Sequence, residues 1–288
     1  MATTSSVNKN RHSSFEQNAT VWDRIWRQQT STDKDWSVLE RERRSPRWRS
    51  ALFAMESTFG RLAGLRTVEL GSGRADFSAL MAMEGADVTL IDYSVGALER
   101  ASDRFDRLRL PVVLEQRDFL ADMSDLAGVF DVAASLGVVE HFRGSDRRRV
   151  IGLHAEVIRP GGLVLVSMPN AWCIPYRLWK MVLESTGRWP YGMEVPYDRA
   201  ELVGCAAEAG LIDVRIEGFG FWQSVGDHCV KGICGTGPDW VDKPSVLDAR
   251  MGASWLLSAR RPPIVPRQAC DVSRGEFTLA VAEHDTAM

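Results

Sequence analysis

The sequence predicts a doubly wound α/β domain built around a largely parallel sheet. Between about residues 66 and 167, short apolar segments alternate with amphipathic helical segments, the order expected of repeated strand–helix–strand units. The apolar segments are continuous, which indicates strands covered by helices on both faces. The first of them lies within Val68–Ser78, where it breaks at two glycines and resumes as a helical pattern. This stretch predicts a strand, a tight turn and a helix.

The strands and helices can be placed in order from these segments. Strands are predicted at Arg66–Leu70, Asp87–Ile91, Pro111–Glu115, Val129–Ala134, Leu163–Ser167, Leu211–Glu217 and Ser254–Arg260. Helices are predicted at Asp76–Glu84, Val95–Leu108, Asp146–Ile158, Ile174–Glu184 and Arg199–Ala209. Glu276–Ala282 is an alternative last strand, and Ser254–Arg260 is preferred because it directly follows an irregular segment.

The chain divides into a core with additions before, within and after it. Residues 1–14 read as a disordered tail, 15–60 as an N-terminal helical cap, and 261–288 as a C-terminal tail. The core spans 61–260 and carries cap insertions at about 171–197 and 219–251. All ten tryptophans lie outside residues 49–171, in these additions or in the last strand. Large amphipathic rings suit a cap over an organic substrate, although they would equally hold the helices against the sheet.

The composition argues against several kinds of partner. The 288 residues carry a net charge of −3, too little for a global field that attracts nucleic acid or an anionic membrane. The basic clusters at 41–49 and 147–149 are expected on solvated helix faces. No segment approaches the roughly eighteen apolar residues of a membrane span, so a cytoplasmic protein is expected. The five cysteines are expected as free thiols, and no metal is expected because Cys229, Cys234 and His228 form no complete ligand set.

Three positions at the ends of consecutive strands predict a nucleoside site. Gly71 and Gly73 allow a ligand to approach the backbone closely at the first turn. Asp92 ends the second strand, where a carboxylate can accept hydrogen bonds from both hydroxyls of a ribose. Asp118 follows the third strand beside Phe119, a pairing suited to the amino group and face of an adenine. These positions meet at the edge where open α/β sheets bind ligands.

The charge of the first turn indicates which adenosine cofactor is bound. Glu69 precedes the first glycine, and Asp76 stands where a dinucleotide site normally has its third glycine. Two carboxylates would repel a pyrophosphate, whereas they suit a ligand that carries an ammonium and a sulfonium. S-adenosylmethionine is such a ligand.

Five segments in order resemble the class I S-adenosylmethionine-dependent methyltransferases, across roughly residues 65–217. They are residues 69–75 (ELGSGRA), 90–94 (LIDYS), 117–120 (RDFL), 130–142 (FDVAASLGVVEHF) and 157–163 (VIRPGGL). The resemblance implies a Rossmann-like, seven-stranded sheet with one antiparallel strand, and methyl transfer as the activity. The cofactor-binding residues that it implies are Glu69, Gly71, Ser72, Gly73, Asp92, Tyr93, Asp118, Phe119 and Leu136. Ala75 replaces the usual third glycine, which suggests that the backbone there avoids left-handed dihedral angles.

His141 is the best candidate for a general base, because it follows the fourth strand on the face where the methyl group should project. In the alternative interpretation, Glu140 and His141 only shape the turn or orient the cofactor. His228, Glu194 and Tyr191 are weaker candidates, while His12, His154 and His284 are expected in tails or on a helix surface.

The acceptor is expected to be a small organic molecule, such as a natural-product intermediate. The chain lacks a basic domain and the sequence after the fourth strand that marks amino-methyltransferases of nucleic acid. Whether oxygen, nitrogen or carbon is methylated stays open, as does assembly into a homo-oligomer. Two other functions compete: a cofactor-binding sensor or scaffold without turnover, and a nicotinamide-dependent oxidoreductase.

Overall fold

A computed structural model describes residues 21–27, 33–230 and 244–264. Its centre is a seven-stranded sheet in the order β3-β2-β1-β4-β5-β7-β6, in which β7 runs antiparallel to both of its neighbours. The strands are β1 Arg66–Leu70, β2 Asp87–Asp92, β3 Val113–Gln116, β4 Phe130–Leu136, β5 Ile158–Pro169, β6 Ile212–Phe219 and β7 Ser254–Arg260. The predicted α/β class and the single antiparallel strand are therefore confirmed.

Helices cover both faces of this sheet. Before the first strand lie α1 (residues 21–27), α2 Asp33–Arg44 and α3 Pro46–Phe59. Within the alternating core lie α4 Asp76–Met83, α5 Val95–Leu108 and α6 Gly144–Val157. The later helices are α7 Ile174–Ser185, α8 Arg199–Glu208, α9 Phe221–Ser224 and α10 Asp248–Met251, with a π-helical turn at Val225–Val230. No helix among the described residues is long and apolar enough to cross a lipid bilayer.

The central strands are buried because helices pack on each side of them. Val68 pairs with Ala133 across β1 and β4, and both side chains are fully buried. One hydrophobic cluster contains Val68, Leu70 and the residues packed under α6 and α8, while the other contains Leu90 and the residues under α3, α4 and α5. Continuous apolar strands are what such a two-sided core requires.

The strand order reverses between β1 and β4. The sequence continues from β1 outward through β2 to β3, and then returns to the other side of β1 at β4. Such a reversal opens a crevice at the carboxyl ends of the central strands, where open α/β sheets bind ligands. The glycine turn after β1 and the turn after β4 meet at this crevice.

Strand boundaries agree closely with the sequence prediction, with one clear exception. β1 and β7 begin and end at the predicted residues, so Ser254–Arg260 is the last strand of the described sheet. The alternative at Glu276–Ala282 lies outside the described residues. β5 begins at Ile158, five residues before the predicted Leu163. Gly162 makes this possible, since a Cβ there would lie 2.9 Å from the carbonyl oxygen of Asp131 on the neighbouring strand.

Three local expectations are wrong. Ala75 does adopt the left-handed region, with φ 52° and ψ 34°, because the tight turn requires that conformation before α4 whatever residue occupies it. Full burial of its methyl group, worth about 0.8 kcal/mol, offsets part of the cost of about 1–2 kcal/mol. His154 is not on a helix surface but fully buried, with Nε2 2.9 Å from the Ser135 hydroxyl.

Arg147 does not lie on a solvated helix face. It is only 7% exposed and donates to the carbonyl oxygens of Val195 and Pro196.

The insertion at 171–197 closes on itself beside the end of β5. Asn170 and Tyr197 form an isolated β-bridge, and the Ala171 N–H donates to the carbonyl oxygen of Tyr197 at 3.0 Å. The two ends of the insertion therefore lie side by side, directly after β5. The proposed division of the chain into tails, cap and core stays a prediction, and the 1–14 tail lies outside the described residues.

Candidate functional site

A cavity of about 420 Å³ lies at the carboxyl ends of β1, β2 and β4. Its floor is formed by the glycine turn after β1 and by residues 136–142 after β4. Its walls come from α1, from the α2–α3 region and from the insertion at 171–197, which contributes Tyr191 and Glu194. None of the described residues within 219–251 lines this cavity. The structure thus brings the first predicted cap insertion to the site, together with the N-terminal helices.

Gly71 and Gly73 in the turn after β1 are packed too tightly to carry a side chain. Gly71 has φ +75°, and a Cβ there would lie 2.7 Å from Cγ2 of Val138. Gly73 has φ +49°, and a Cβ there would lie 2.9 Å from the ring of Trp26. Between them, Ser72 is 4% exposed and its hydroxyl has no hydrogen-bond partner. A buried hydroxyl without a partner indicates a polar ligand at this turn.

The two acidic residues that flank the turn differ in their surroundings. Glu69 is buried and accepts a hydrogen bond from the Ser78 hydroxyl, and burial raises the pKa of Glu69 to about 8. Asp76 is paired with Arg104 at 2.7 Å and with Arg74 at 3.0 Å. The expectation that both carboxylates carry free negative charge toward a ligand is therefore wrong for Asp76, which two guanidinium groups neutralise.

Asp92 holds the turn as well as lining the cavity. Its carboxylate accepts the N–H of Gly73 at 3.2 Å and that of Ser94 at 2.9 Å. Burial raises its pKa although these backbone hydrogen bonds oppose the shift. The neighbouring Tyr93 also lines the cavity. The carboxylate lies where the sequence predicts it, joined to the glycine turn nineteen residues before it.

The residues predicted to bind adenine, Asp118 and Phe119, differ in their position relative to the cavity. Phe119 and Leu136 both line the cavity, and Phe119 packs edge-on against Phe142 with ring centroids 5.9 Å apart. Asp118 is half-buried, accepts the N–H of Leu120 at 2.9 Å, and is not among the residues that line the cavity. Its part in ligand binding stays a prediction.

His141 lines the cavity with one ring nitrogen fixed by the backbone. Nδ1 lies 2.7 Å from the carbonyl oxygen of Met193. Because a carbonyl oxygen only accepts, Nδ1 carries the proton and Nε2 keeps its lone pair. Burial lowers the pKa of His141, which keeps the ring neutral. A neutral imidazole with one fixed nitrogen is suited to accept a proton at Nε2.

Arg47 lines the cavity, although the sequence predicts its basic cluster on a solvated helix face. Its Nη2 lies 2.7 Å from the Glu42 carboxylate. Its Nη1 donates to the hydroxyl of Ser167 at 3.2 Å. Arg47 is a cation at the wall of the cavity, and therefore a candidate for binding a ligand carboxylate. No local motif marks it, since it lies in a predicted helix far from the strands.

The helix α1 covers the glycine turn and is attached to the start of α5. The Asp23 carboxylate accepts the Gly96 N–H at 2.9 Å and the Ser94 hydroxyl at 3.2 Å. The Gly96 hydrogen bond lowers the pKa of Asp23. From this helix Trp26 reaches Gly73, and Trp22 packs edge-on against His141 at 4.9 Å. Of the tryptophans that the structure describes, Trp22 and Trp26 line the cavity, whereas Trp48 and Trp255 are buried in the core.

Replacing Asp23 with alanine is expected to weaken ligand binding under α1 by about three- to tenfold, because two hydrogen bonds that hold the helix are lost. Isothermal titration with S-adenosylhomocysteine measures the affinity, and stopped-flow fluorescence of Trp22 and Trp26 measures the dissociation rate. Asp103→Ala, on the exposed face of α5, is the matched control. An unchanged affinity and dissociation rate in Asp23→Ala would mean that α1 does not cover the bound ligand.

Comparison with known proteins identifies related sequences over part of the chain. The family model for a methyltransferase domain matches residues 68–162. The chain is 30% identical over 156 residues to ubiquinone biosynthesis O-methyltransferase of Pseudomonas aeruginosa strain UCBPP-PA14, covering 52% of this chain and 66% of that one. It is 30% identical over 158 residues to the same enzyme of Bordetella avium strain 197N, covering 53% and 64%. The match thus spans slightly less than two thirds of the length of these relatives.

Solved structures share the fold at low sequence identity. Magnesium protoporphyrin IX methyltransferase from Synechocystis PCC 6803, with bound SAH, is 17% identical with a TM-score of 0.54 over 84% of this chain and 93% of that one. The cyclase SpnF is 18% identical with a TM-score of 0.51 over 75% of this chain and 81% of that one. These likenesses concern the fold, and one fold carries different chemistries.

Proposed function

The chain belongs to the class I S-adenosylmethionine-dependent methyltransferases, and we propose that it transfers a methyl group from S-adenosylmethionine to a small organic acceptor. The observation that carries this proposal is the cavity in which the glycine turn, Asp92 and a neutral His141 meet under α1. The two relatives that match about half of this chain are named O-methyltransferases, which favours an oxygen acceptor.

The donor half of the cavity fits the chemistry of S-adenosylmethionine. We assign the ribose hydroxyls to Asp92, whose buried carboxylate is the acceptor at the end of β2. Tyr93 and Phe119 supply the aromatic and apolar surroundings of the adenine. The Ser72 hydroxyl and the backbone of Gly71 and Gly73 face the methionine portion.

Arg47 is assigned to the carboxylate of the methionine portion, since guanidinium groups bind carboxylates strongly. Its pairing with Glu42 holds the guanidinium at the wall of the cavity before the donor binds. Helices α2 and α3 thereby contribute Glu42 and Arg47 to the donor site.

The residues around His141 perform the remaining work of the reaction. When bound, S-adenosylmethionine supplies a methyl group that its positive sulfur already activates. The protein must hold the acceptor in line, exclude water and take up the acceptor proton. Trp22 and Tyr191 line the cavity and exclude water, and Nε2 of His141 accepts the proton.

Two measurements separate this function from its competitors. Isothermal titration should show binding of S-adenosylmethionine and no binding of a nicotinamide dinucleotide; the reverse result would support an oxidoreductase. Incubation with donor labelled in the methyl group and a panel of phenols, amines and enols should then give a labelled small molecule. Tight donor binding without any labelled product would favour a sensor or scaffold, or chemistry other than methyl transfer on this fold.

A further inference from the structure

Two carboxyl groups line the acceptor side of the cavity, those of Glu140 and Glu194. Glu140 follows β4 directly before His141 and is 3% exposed. Its Oε2 atom is buried and has no hydrogen-bond partner. A buried carboxyl oxygen without a partner is costly, so the structure leaves a place for a donor that a ligand brings.

The backbone fixes Glu194 beside Glu140. The Val195 N–H donates to the carbonyl oxygen of Glu140 at 2.8 Å, and the carbonyl oxygen of Met193 accepts from His141 at 2.7 Å. Glu194 lies between these two contacts, and the Tyr176 hydroxyl donates to its carboxylate. Arg147 secures the same segment through the carbonyl oxygen of Val195 at 2.7 Å. The two carboxyl groups are therefore part of a built site.

The charges that line the cavity are unbalanced. Among the described residues they comprise six carboxyl groups, from Glu42, Glu69, Asp76, Asp92, Glu140 and Glu194, and two guanidinium groups, from Arg47 and Arg74. The guanidinium groups are paired with Glu42 and Asp76. Glu69 and Asp92 lie on the donor side, which leaves Glu140 and Glu194 for the acceptor.

Among the described residues, the cations near this acidic pair already have carboxylate partners. The charge of Arg147 opposes the rise in the pKa of Glu140, but its guanidinium is paired with Glu201. The Lys180 ammonium is paired with Glu184 and lies 4.5 Å above the ring of Trp189. Burial raises the pKa of Glu140 to about 8 and that of Glu194 to about 7. A cation placed between them would favour their ionised forms. Because this coupling is reciprocal, the ionised carboxylates would bind the cation more tightly.

Aromatic rings complete the surroundings of the acidic pair. Trp22 and Tyr191 both line the cavity, with centroids 6.3 Å apart and planes inclined by only 20°. Carboxylates together with aromatic faces are the groups with which proteins bind ammonium ions. An anionic group at this place would instead be repelled by the ionised form of either carboxyl group.

We propose that the acceptor carries a protonated amine that Glu140 and Glu194 bind, and that these two residues discriminate against anionic acceptors. This inference rests on the proposed function and adds the charge class of the acceptor to it. The ammonium group is a recognition element, separate from the atom that receives the methyl group.

The test compares three phenols that differ in the charge of a short side chain. Tyramine is cationic, 4-hydroxyphenylethanol is neutral and 3-(4-hydroxyphenyl)propionate is anionic. Each is titrated by calorimetry into the full-length protein saturated with S-adenosylhomocysteine, at about pH 8, where an alkylamine remains protonated. We expect tyramine to bind at least about tenfold more tightly than the neutral phenol, and the anion to bind most weakly. Equal affinities, tighter binding of the anion, or failure of tyramine to bind would overturn the inference.

Two variants assign the preference to the acidic pair. Glu194→Gln and Glu140→Gln should each weaken tyramine binding by about tenfold and change that of the neutral phenol less than twofold. Glu99→Gln on the exposed face of α5 is the matched control and should leave both affinities unchanged. Thermal melting of the S-adenosylhomocysteine complex shows whether Glu140→Gln remains folded, and Glu194→Gln provides the same test at a less buried position. A tyramine preference that both variants retain would overturn the assignment.

This experiment separates the inference from the proposed function. Binding in the S-adenosylhomocysteine complex requires no turnover, so the charge preference can be measured whether or not a methyl group is transferred. Absence of S-adenosylhomocysteine binding would count against the proposed function. Normal binding of S-adenosylhomocysteine without a preference for tyramine would count against the charge class alone.

Discussion

Replacing His141 with alanine is expected to lower kcat by about 10²- to 10⁴-fold, the usual contribution of a general base. The reason is that Nε2 of His141 is a free lone pair at the cavity wall, since Nδ1 is engaged by Met193 at 2.7 Å. The affinity for S-adenosylhomocysteine, measured by calorimetry, should change little. Added imidazole should restore part of the activity by occupying the space that the ring leaves.

The pH profile provides an independent check on this role. Burial lowers the pKa of His141 below its ordinary value of 6.5, so the neutral base persists at neutral pH. Activity should therefore be lost only as pH falls through that lowered pKa, and the imidazole-rescued variant should instead follow the ordinary pKa of imidazole. An equal loss of kcat and donor affinity in His141→Ala would make His141 a residue that positions the cofactor.

The sequence was sufficient for the fold because the relevant signals are local. Continuous apolar strands, glycines after β1 and helical periodicity in α5 each depend on neighbouring residues, and the bounds of β1, α5 and β7 agree with them. Ala75 shows where local reasoning fails. Its left-handed conformation is imposed by the turn that joins β1 to α4, and an alanine accepts the strain because its methyl group is buried.

The residues of the candidate site also differ in whether local sequence patterns predict them. Motifs predict Gly71, Asp92 and His141, which all line the cavity. Gly71 and Asp92 directly follow predicted strands, and His141 lies in the turn after the fourth strand. Arg47 and Asp23 reach the site from N-terminal helices, and the hydrogen bond from Gly96 to Asp23 joins residues 73 positions apart. Periodicity places such residues on a helix but does not say which face meets the sheet. The tertiary packing of α1, α2 and α3 determines their role.

The carboxyl groups near the glycine turn differ in how much negative charge they present to a cofactor. Asp76 is neutralised by Arg74 and Arg104, so it contributes little repulsion toward a pyrophosphate. Glu69 and Asp92 remain as the buried carboxyl groups on the donor side, and burial raises the pKa of both. A cation beside these two carboxyl groups favours their ionised forms, whereas an anion does not, so a cationic donor is still favoured over an anionic one.

Replacing Asp92 with alanine is expected to weaken donor binding by about 1–3 kcal/mol, or roughly 5- to 150-fold. The carboxylate serves two purposes: it accepts the N–H groups of Gly73 and Ser94, and it provides the proposed acceptor for the ribose. Asp92→Asn keeps one oxygen but places an amide donor where an acceptor is needed, so its loss should be intermediate. Asp87→Ala, at the exposed beginning of the same strand, is the matched control and should bind normally.

Melting temperatures of the three ligand-free variants separate the two roles of Asp92. If the carboxylate only supported the turn, Asp92→Asn would lose stability and affinity together, and a high ligand concentration would restore a normal ligand-bound state. If it also binds the ribose, Asp92→Asn should lose affinity for S-adenosylhomocysteine more than affinity for methionine, which lacks the ribose. Equal losses for both ligands would remove the ribose assignment, and unchanged affinity in Asp92→Ala would remove Asp92 from the donor site altogether.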